Sequence, residues 1–269
     1  MAPQPRSFHI EPLHKSELQA ALTGAQIHAV YQPIVRMCDR RPVGLEALAR
    51  LHHPAHGILS PYLFVPPMEQ AGLARPLTEA VIRRAFADWG GGLLDSLDLT
   101  LSVNFSLDVL LLPEALRWLE AARLQASIPA ARLIIELTES QPVSHLPELT
   151  AAATWLRDLG YGLAIDDVGP HTRDHGPLLG LPFSMLKLDM EVVRDTAVNR
   201  AARKFLTDAI AKAHGASLLV TAEGVEDEAC WSRMQQIGVE LAQGFLVGHP
   251  LPAEGVLAWH RSWNTQYPQ

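Results

Sequence analysis

The chain is poor in aromatic residues: Phe, Trp and Tyr make up 6% of its 269 positions. Its core must therefore rest on Leu, Val, Ile and Ala, in keeping with the 48% apolar share. That length suits one large domain or two small ones. Cysteine is scarcer still. Cys38 and Cys230 have no metal-type spacing and read as ordinary thiols of a reducing compartment. Basic residues are outnumbered, 22 against 29 acidic, for a net charge of −7. This excludes a broad basic face for long nucleic acid. It leaves room for a small anionic ligand, because a metal ion or a single Arg reverses the local sign. No run approaches the roughly 18 apolar residues of a membrane span, so no membrane insertion is expected. The opening MAPQPRSFHIEPLHK lacks an apolar h-region, so a cytoplasmic protein without a signal peptide is expected. Gly90-Gly91-Gly92 lacks the pattern of a phosphate-binding loop. There is no nucleophile-elbow Ser and no Cys/His catalytic pair. The twelve histidines are scattered, and the His52-His53 pair before Pro54 reads as loop.

What is present is alternation. Eight short apolar, β-rich segments recur: His28–Met37, Val43–Leu51, Leu99–Ser106, Arg132–Ser140, Gly160–Val168, Met185–Met190, Ser217–Val225 and Leu241–Gly248. Apolar residues at helical spacing fill Arg75–Trp89, Asp108–Leu124, Leu146–Leu159, Val192–His214 and Glu226–Ile237. Strands alternating with helices predict a parallel sheet. Eight of them predict an α/β fold closed into a TIM-like (β/α)8 barrel. Only Cys38–Pro42 separates the first two strands. A parallel pair needs a crossover of about a dozen residues or more, so the first strand is predicted to run antiparallel. No linker stands out, which predicts one domain over 16–262 between an N-terminal arm (1–15) and a tail (263–269).

Placement of polar residues is the informative feature. Predicted strand ends carry Glu46, Asn104, Glu136 with Glu139 beyond it, Asp166-Asp167, Lys187, Glu223 and Gln243. Glu46, Leu48 and Arg50 share one face by the two-residue period. Taken singly, each acid has an ordinary reading as a helix N-cap or solvated loop residue, and Lys187 has one as a partner of Asp189. In a barrel, however, the C-terminal strand ends converge on one mouth. Five carboxylates there cannot all ionise without strong repulsion. Two hard divalent cations, Mg2+ or Mn2+, solve that problem and suit an in-line phosphoryl displacement. Lys187 would orient the attacking water or neutralise developing charge, and Arg50 would hold a phosphate oxygen.

Eight ordered motifs carry a family resemblance. YQPIV (Tyr31–Val35), GLEALAR (Gly44–Arg50) with His53-Pro54, SVNFS (Ser102–Ser106), ELTES (Glu136–Ser140), AIDDVG (Ala164–Gly169), LKLD (Leu186–Asp189), AEGVE (Ala222–Glu226) and QGFLVGHPLP (Gln243–Pro252) resemble those of EAL domains. The order and spacing agree from about residue 17 to 260. The resemblance implies a barrel with an antiparallel first strand. It also implies hydrolysis of cyclic di-GMP to linear 5′-pGpG with Mg2+ or Mn2+, and a homodimer. By motif, Glu46, Asn104, Glu136 and Asp166 correspond to ligands of one metal, and Asp166, Asp167 and Glu223 to ligands of a second. Lys187 and Gln243 correspond to residues that position the water. Gln32, Leu48, Arg50 and Pro250 correspond to substrate contacts, and Glu139 to a glutamate that braces the loop after the fifth strand.

That loop departs from the family pattern. Where EAL domains run DDFGTGYSSL, this chain has Asp166-Asp167-Val168-Gly169-Pro170-His171-Thr172-Arg173-Asp174-His175. Replacing a Gly by His171 matters where φ > 0 is needed, and Pro170 removes a donor. The complete set of metal-type residues supports an active phosphodiesterase. The altered loop supports the alternative, a domain that binds cyclic di-GMP or a protein partner without hydrolysing it.

Overall fold

Two faces of one sheet explain the architecture. In the segment Leu133–Thr138, Leu133, Ile135 and Leu137 belong to the large cluster that includes Leu149, Ala153 and Leu156. Ile134 instead joins Ile34, Ala164, Met185 and Leu241 in a separate small cluster. The period of two thus sends alternate side chains outward to helices and inward to a barrel axis. The computed structural model describes residues 13–91, 94–138, 145–170 and 178–268. In chain order its elements are α1 (Lys15–Thr23), β1 (Ile27–Arg36), β2 (Pro42–His53), β3 (Gly57–Leu59), α2 (Pro61–Gln70), α3 (Ala74–Gly90), β4 (Thr100–Ser106), α4 (Leu107–Leu110), α5 (Pro113–Gln125), β5 (Leu133–Thr138), α6 (Leu146–Asp158), β6 (Gly162–Val168), β7 (Met185–Leu188), α7 (Met190–Asp195), α8 (Arg200–Gly215), β8 (Leu219–Ala222), α9 (Glu228–Gln236), β9 (Leu241–Gln243) and α10 (Ala253–Gln266).

The sheet runs β1-β9-β8-β7-β6-β5-β4-β2-β3, and a β1–β2 pairing closes it. Eight strands thus form a TIM-like barrel, and β3 hangs on the outer end of β2. The antiparallel first strand expected from the short Cys38–Pro42 connection is present: β1 runs antiparallel to β2, with Gln32 opposite Glu46, and antiparallel to β9. The remaining barrel pairings are parallel.

Several elements differ from the sequence reading, each for a local reason. The helix expected over Asp108–Leu124 is two, α4 and α5, because Pro113 starts a new first turn. The one expected over Val192–His214 is also two. Asn199 caps α8 by accepting from the amides of Ala201 and Ala202. Helix α2 escaped notice because Pro66 and Pro67 lie inside it. Each proline removes a backbone donor, which leaves the Tyr62 and Leu63 carbonyls without an intrahelical partner. Both residues are exposed, so water can serve those carbonyls, while buried Phe64 and Met68 anchor the helix. His52-His53 is not loop: it ends β2, paired with β3, and His52 stacks on His28 with ring centroids 3.9 Å apart.

The expected tail is also corrected: α10 continues to Gln266. Trp263 is buried and donates to the Arg40 carbonyl at 2.6 Å. The Arg40 guanidinium lies 4.2 Å from the Trp231 ring centroid and 4.6 Å from that of Tyr267. It also pairs with Glu228 at 2.6 Å. Cation–π contact and an ion pair therefore pin the chain end to the β1–β2 turn. Among the described residues no helix is long and apolar enough to cross a membrane.

Candidate metal centre and substrate cavity

Lys187 of β7 is the pivot of the site. Its side chain is 1% exposed, and its ammonium reaches four carboxylates from four other strand ends. Glu223 lies at 2.6 Å, Glu136 at 2.7 Å, Asp166 at 3.0 Å and Glu46 at 3.2 Å. A buried ion pair survives only with compensating bonds, and Glu46 shows how they are supplied. Its Oε1 accepts from Asn104 Nδ2 at 2.8 Å, and its Oε2 from Gln243 Nε2 at 2.7 Å. Gln243 is held in turn by Gln32 Oε1 at 3.2 Å, and Gln32 donates to the Gly248 carbonyl. Asp189 is not the partner of Lys187. It caps α7, accepting from the amides of Glu191 and Val192.

Two neighbouring residues on a regular strand point to opposite faces, yet Asp166 and Asp167 converge. The β6–β7 register shifts between Ile165 and Val168, and Asp167 has φ 55°. Aspartate tolerates this left-handed conformation better than most residues. The irregularity turns the second carboxylate back, so that Asp166, Asp167 and Glu223 each place an oxygen within 4.8 Å of the others. Glu46, Glu136 and Asp166 form a second such group, and Asp166 is common to both. Beyond β8 and β9 the loops interlock. The Val225 amide donates to the Gln243 carbonyl at 3.0 Å. Gly244 allows this approach, since a Cβ there would lie 2.3 Å from the Val225 amide nitrogen.

The charges are unbalanced. Burial raises the Glu223 carboxyl to about 8 despite the opposing charge of Lys187. Burial, then the charge of Asp166, raises Asp167 to about 6. Burial, then the charge of Glu46, pushes Glu136 well above the carboxylate range. Burial also raises Asp166, against Lys187. Burial opposes ionisation of Glu46 too, but Lys187, Gln243 and Asn104 together outweigh it and hold it below its ordinary value. Burial disfavours the charge of Lys187, yet the surrounding carboxylates, Asp166 first, raise it well above its ordinary value.

The donor set fits divalent cations. Five carboxylates and one ammonium, if all ionised, leave four negative charges, the number that two divalent ions balance. Carboxylate and amide oxygens are hard ligands of the Mg2+ or Mn2+ kind. Glu136 accepts the ammonium through Oε2 only. Its Oε1 is buried without a hydrogen bond, an acceptor that a cation would satisfy.

A cavity of about 610 Å3 opens above the cluster, within the range of small-molecule sites. Glu46, Asn104, Asp166, Asp167, Glu223 and Gln243 reach it, and Gln32, Leu48, Arg50 and Pro250 line it. Glu136 and Lys187 lie beneath. Burial lowers the Arg50 guanidinium from its ordinary value, opposed by the charge of Glu46. Sequence reasoning missed the far wall: Tyr62, Val65, Pro66 and Glu69 of α2, with Met190 and Phe245. The signal was the i, i+3, i+4, i+7 spacing from Tyr62 to Glu69, hidden by the two prolines. Glu139 and positions 171–177 of the divergent loop lie outside the described residues.

Comparisons agree with this geometry. Residues 15–250 match the EAL domain family. The cyclic di-GMP phosphodiesterase PA2567 of Pseudomonas aeruginosa is 32% identical over 247 residues, covering 90% of this chain and 41% of that protein. The bifunctional diguanylate cyclase/cyclic di-GMP phosphodiesterase MucR of the same organism is 31% identical over 245 residues, covering 90% of this chain and 36% of that one. The solved structure of the PaMucR phosphodiesterase in complex with c-di-GMP has a TM-score of 0.83 at 31% identity, and the match covers 90% of this chain and 98% of that one. The chain spans about two fifths of the length of these curated relatives. With its antiparallel first strand, its carboxylate-lined mouth and a family match across most of its length, the chain belongs to the EAL domain family.

Proposed function

We propose that the chain hydrolyses cyclic di-GMP to linear 5′-pGpG with two divalent ions, Mg2+ or Mn2+. The observation that carries this reading is the pair of three-carboxylate groups joined at Asp166. Glu46, Asn104, Glu136 and Asp166 would hold one ion, and Asp166, Asp167 and Glu223 the other. Bound there, the ions would lower the pKa of a water and neutralise charge on the phosphoryl oxygens. The protein's own groups do the rest. Lys187 and Gln243, both beside Glu46, orient the attacking water. Arg50 donates to a non-bridging phosphate oxygen, and Gln32, Leu48 and Pro250 hold the dinucleotide against the mouth. Water oxygen bonds to phosphorus, the P–O3′ bond breaks, and the freed 3′-oxygen takes a proton. The phosphate remains on the 5′-oxygen of the neighbouring nucleotide.

The binding-only alternative rests on the divergent loop, whereas every ligand-type residue named above, Glu139 apart, lies in or beside the cluster. We further propose a cytoplasmic setting, in line with the unpaired Cys38 and Cys230, and a homodimer, in line with the family resemblance. The test is incubation with cyclic di-GMP and Mn2+ or Mg2+, followed by chromatography of the product. Linear dinucleotide is expected from the wild type and none from Glu46→Ala. Ligand binding without product would sink the hydrolase reading.

A further inference from the structure

Asp88 of α3 is a buried carboxylate, 7% exposed, that the chemistry above does not use. Its Oδ2 accepts from the Tyr31 hydroxyl at 2.7 Å. Arg84, one turn earlier on the same helix, donates to it through Nε at 3.2 Å and Nη2 at 3.1 Å. Tyr31 is fully buried and lies on β1 directly before Gln32. Burial, then the bond to Asp88, raises the phenol far above its ordinary pKa, so the hydroxyl remains a donor.

Strand β1 is held unevenly around Gln32. On one edge it pairs with β2 from Ile27 to Val35, with Gln32 opposite Glu46. On the other edge, pairing with β9 runs only from Ile34 to Arg36. Pro33 has no amide hydrogen with which to extend it. The ladder is followed by a single bridge at Tyr31. The Tyr31 amide donates to the Leu251 carbonyl at 2.7 Å, and its carbonyl accepts from the Leu251 amide at 2.9 Å. Gln32 thus spans a gap between ladder and bridge. From there its Oε1 accepts from Gln243 and its Nε2 donates to the Gly248 carbonyl, each at 3.2 Å. Successive strand residues point to opposite faces. Anchoring the Tyr31 phenol outside the barrel therefore fixes the roll of the strand and the aim of Gln32 inside it.

We propose that Tyr31 and Asp88 are positioning residues for the hydrolysis: their bond ties β1 to α3 so that Gln32 holds Gln243 against the attacking water. This rests on the hydrolase reading above and extends its machinery to the outer face of the barrel. The molecule supplies its own control. Tyr161 is equally buried and donates to Glu120 of α5 at 2.7 Å, and Arg123 of the same helix donates to that carboxylate at 2.9 Å. This second triad repeats the chemistry of the first. It stands just before β6 begins at Gly162, at the end of the barrel away from the mouth.

The test compares Tyr31→Phe with Tyr161→Phe, assayed with cyclic di-GMP and Mn2+ well below the melting transition. Each deletion takes one hydrogen bond from a carboxylate, and both are expected to lower the denaturation midpoint. Only Tyr31→Phe is expected to lower kcat, by about tenfold, because small displacements of a catalytic group cost rate steeply. Its KM stays near the wild-type value, as when an interaction made only in the transition state is lost. Asp88→Asn keeps an acceptor for the phenol and retains most of the turnover, whereas Asp88→Leu loses it as Tyr31→Phe does. A merely structural bond would move the midpoints and leave kcat of the folded protein unchanged. Wild-type kcat in Tyr31→Phe or in Asp88→Leu, or an equal fall in Tyr161→Phe, overturns the positioning pair while the hydrolase reading stands. A wild type that yields no linear product overturns both.

Discussion

The lower and upper halves of the barrel interior are built from the same strands and differ in everything else. Ile34, Ile134, Ala164, Met185 and Leu241 form a dry apolar layer. Two residues further toward the mouth, on the same faces, stand Gln32, Glu136, Asp166, Lys187 and Gln243. On β5, β6, β7 and β9 the polar residue follows the apolar one in sequence. On β1 it precedes it, because that strand runs the other way. The lower layer closes the barrel by packing, which any apolar residues of suitable volume accomplish. The upper layer concentrates charge that packing alone does not stabilise, and that concentration is the functional investment of the fold.

The largest effect expected from breaking the contrast is Lys187→Met. It leaves buried carboxylates without their ammonium, and removing one partner of a buried ion pair costs about 3–5 kcal/mol. Chemical denaturation in EDTA measures the loss, and Mn2+ should recover part of it. Met185→Ala, in the dry layer two residues earlier, is expected to cost about 2–5 kcal/mol through a cavity, with turnover at 25 °C retained. Comparable losses of turnover in both variants would mean that the two layers do not divide the labour.

The next effect is on pH. The folded-state values of Glu223 and Asp167, about 8 and about 6, lie above ordinary carboxylate values. In this range the metal-free folded protein binds more protons than the unfolded chain. The stability these two groups contribute is full below about pH 4 and is lost as pH rises to about 8. Thermal melts in EDTA should therefore show Tm falling from pH 5.5 to 8, while the increment given by Mn2+ grows. A Tm that rises over that interval would contradict the assignment. The smallest effect lies at Ser102, whose hydroxyl is fully buried without a partner. Ser102→Ala should be neutral or stabilising by up to about 1 kcal/mol, read as a shift in the denaturation midpoint.

Much of this contrast was legible in advance. Glu136 and Lys187 interrupt apolar strands, and such interruptions are visible in a string of letters. The far wall of the cavity was not, because Pro66 and Pro67 mask the helical spacing of α2. The chain end was misread for a similar reason. Its order comes from Trp263 and Tyr267 meeting Arg40, more than 220 positions away, and no local pattern reports such a contact.

The sequence by itself determined the strand–helix alternation, the reversed first strand and the identity of the polar residues at the strand ends. These follow from short-range physics: side-chain period, connection length and turn chemistry. Only the tertiary structure decided which groups meet. Lys187 bonds Glu46 across 141 positions rather than its neighbour Asp189. Asp167 joins Asp166 because the strand is irregular where β6 pairs with β7. Glu69 reaches the mouth because Phe64 and Met68 bury the opposite side of its helix. Each is an outcome of barrel closure, which brings distant strand ends within a few ångströms of one another.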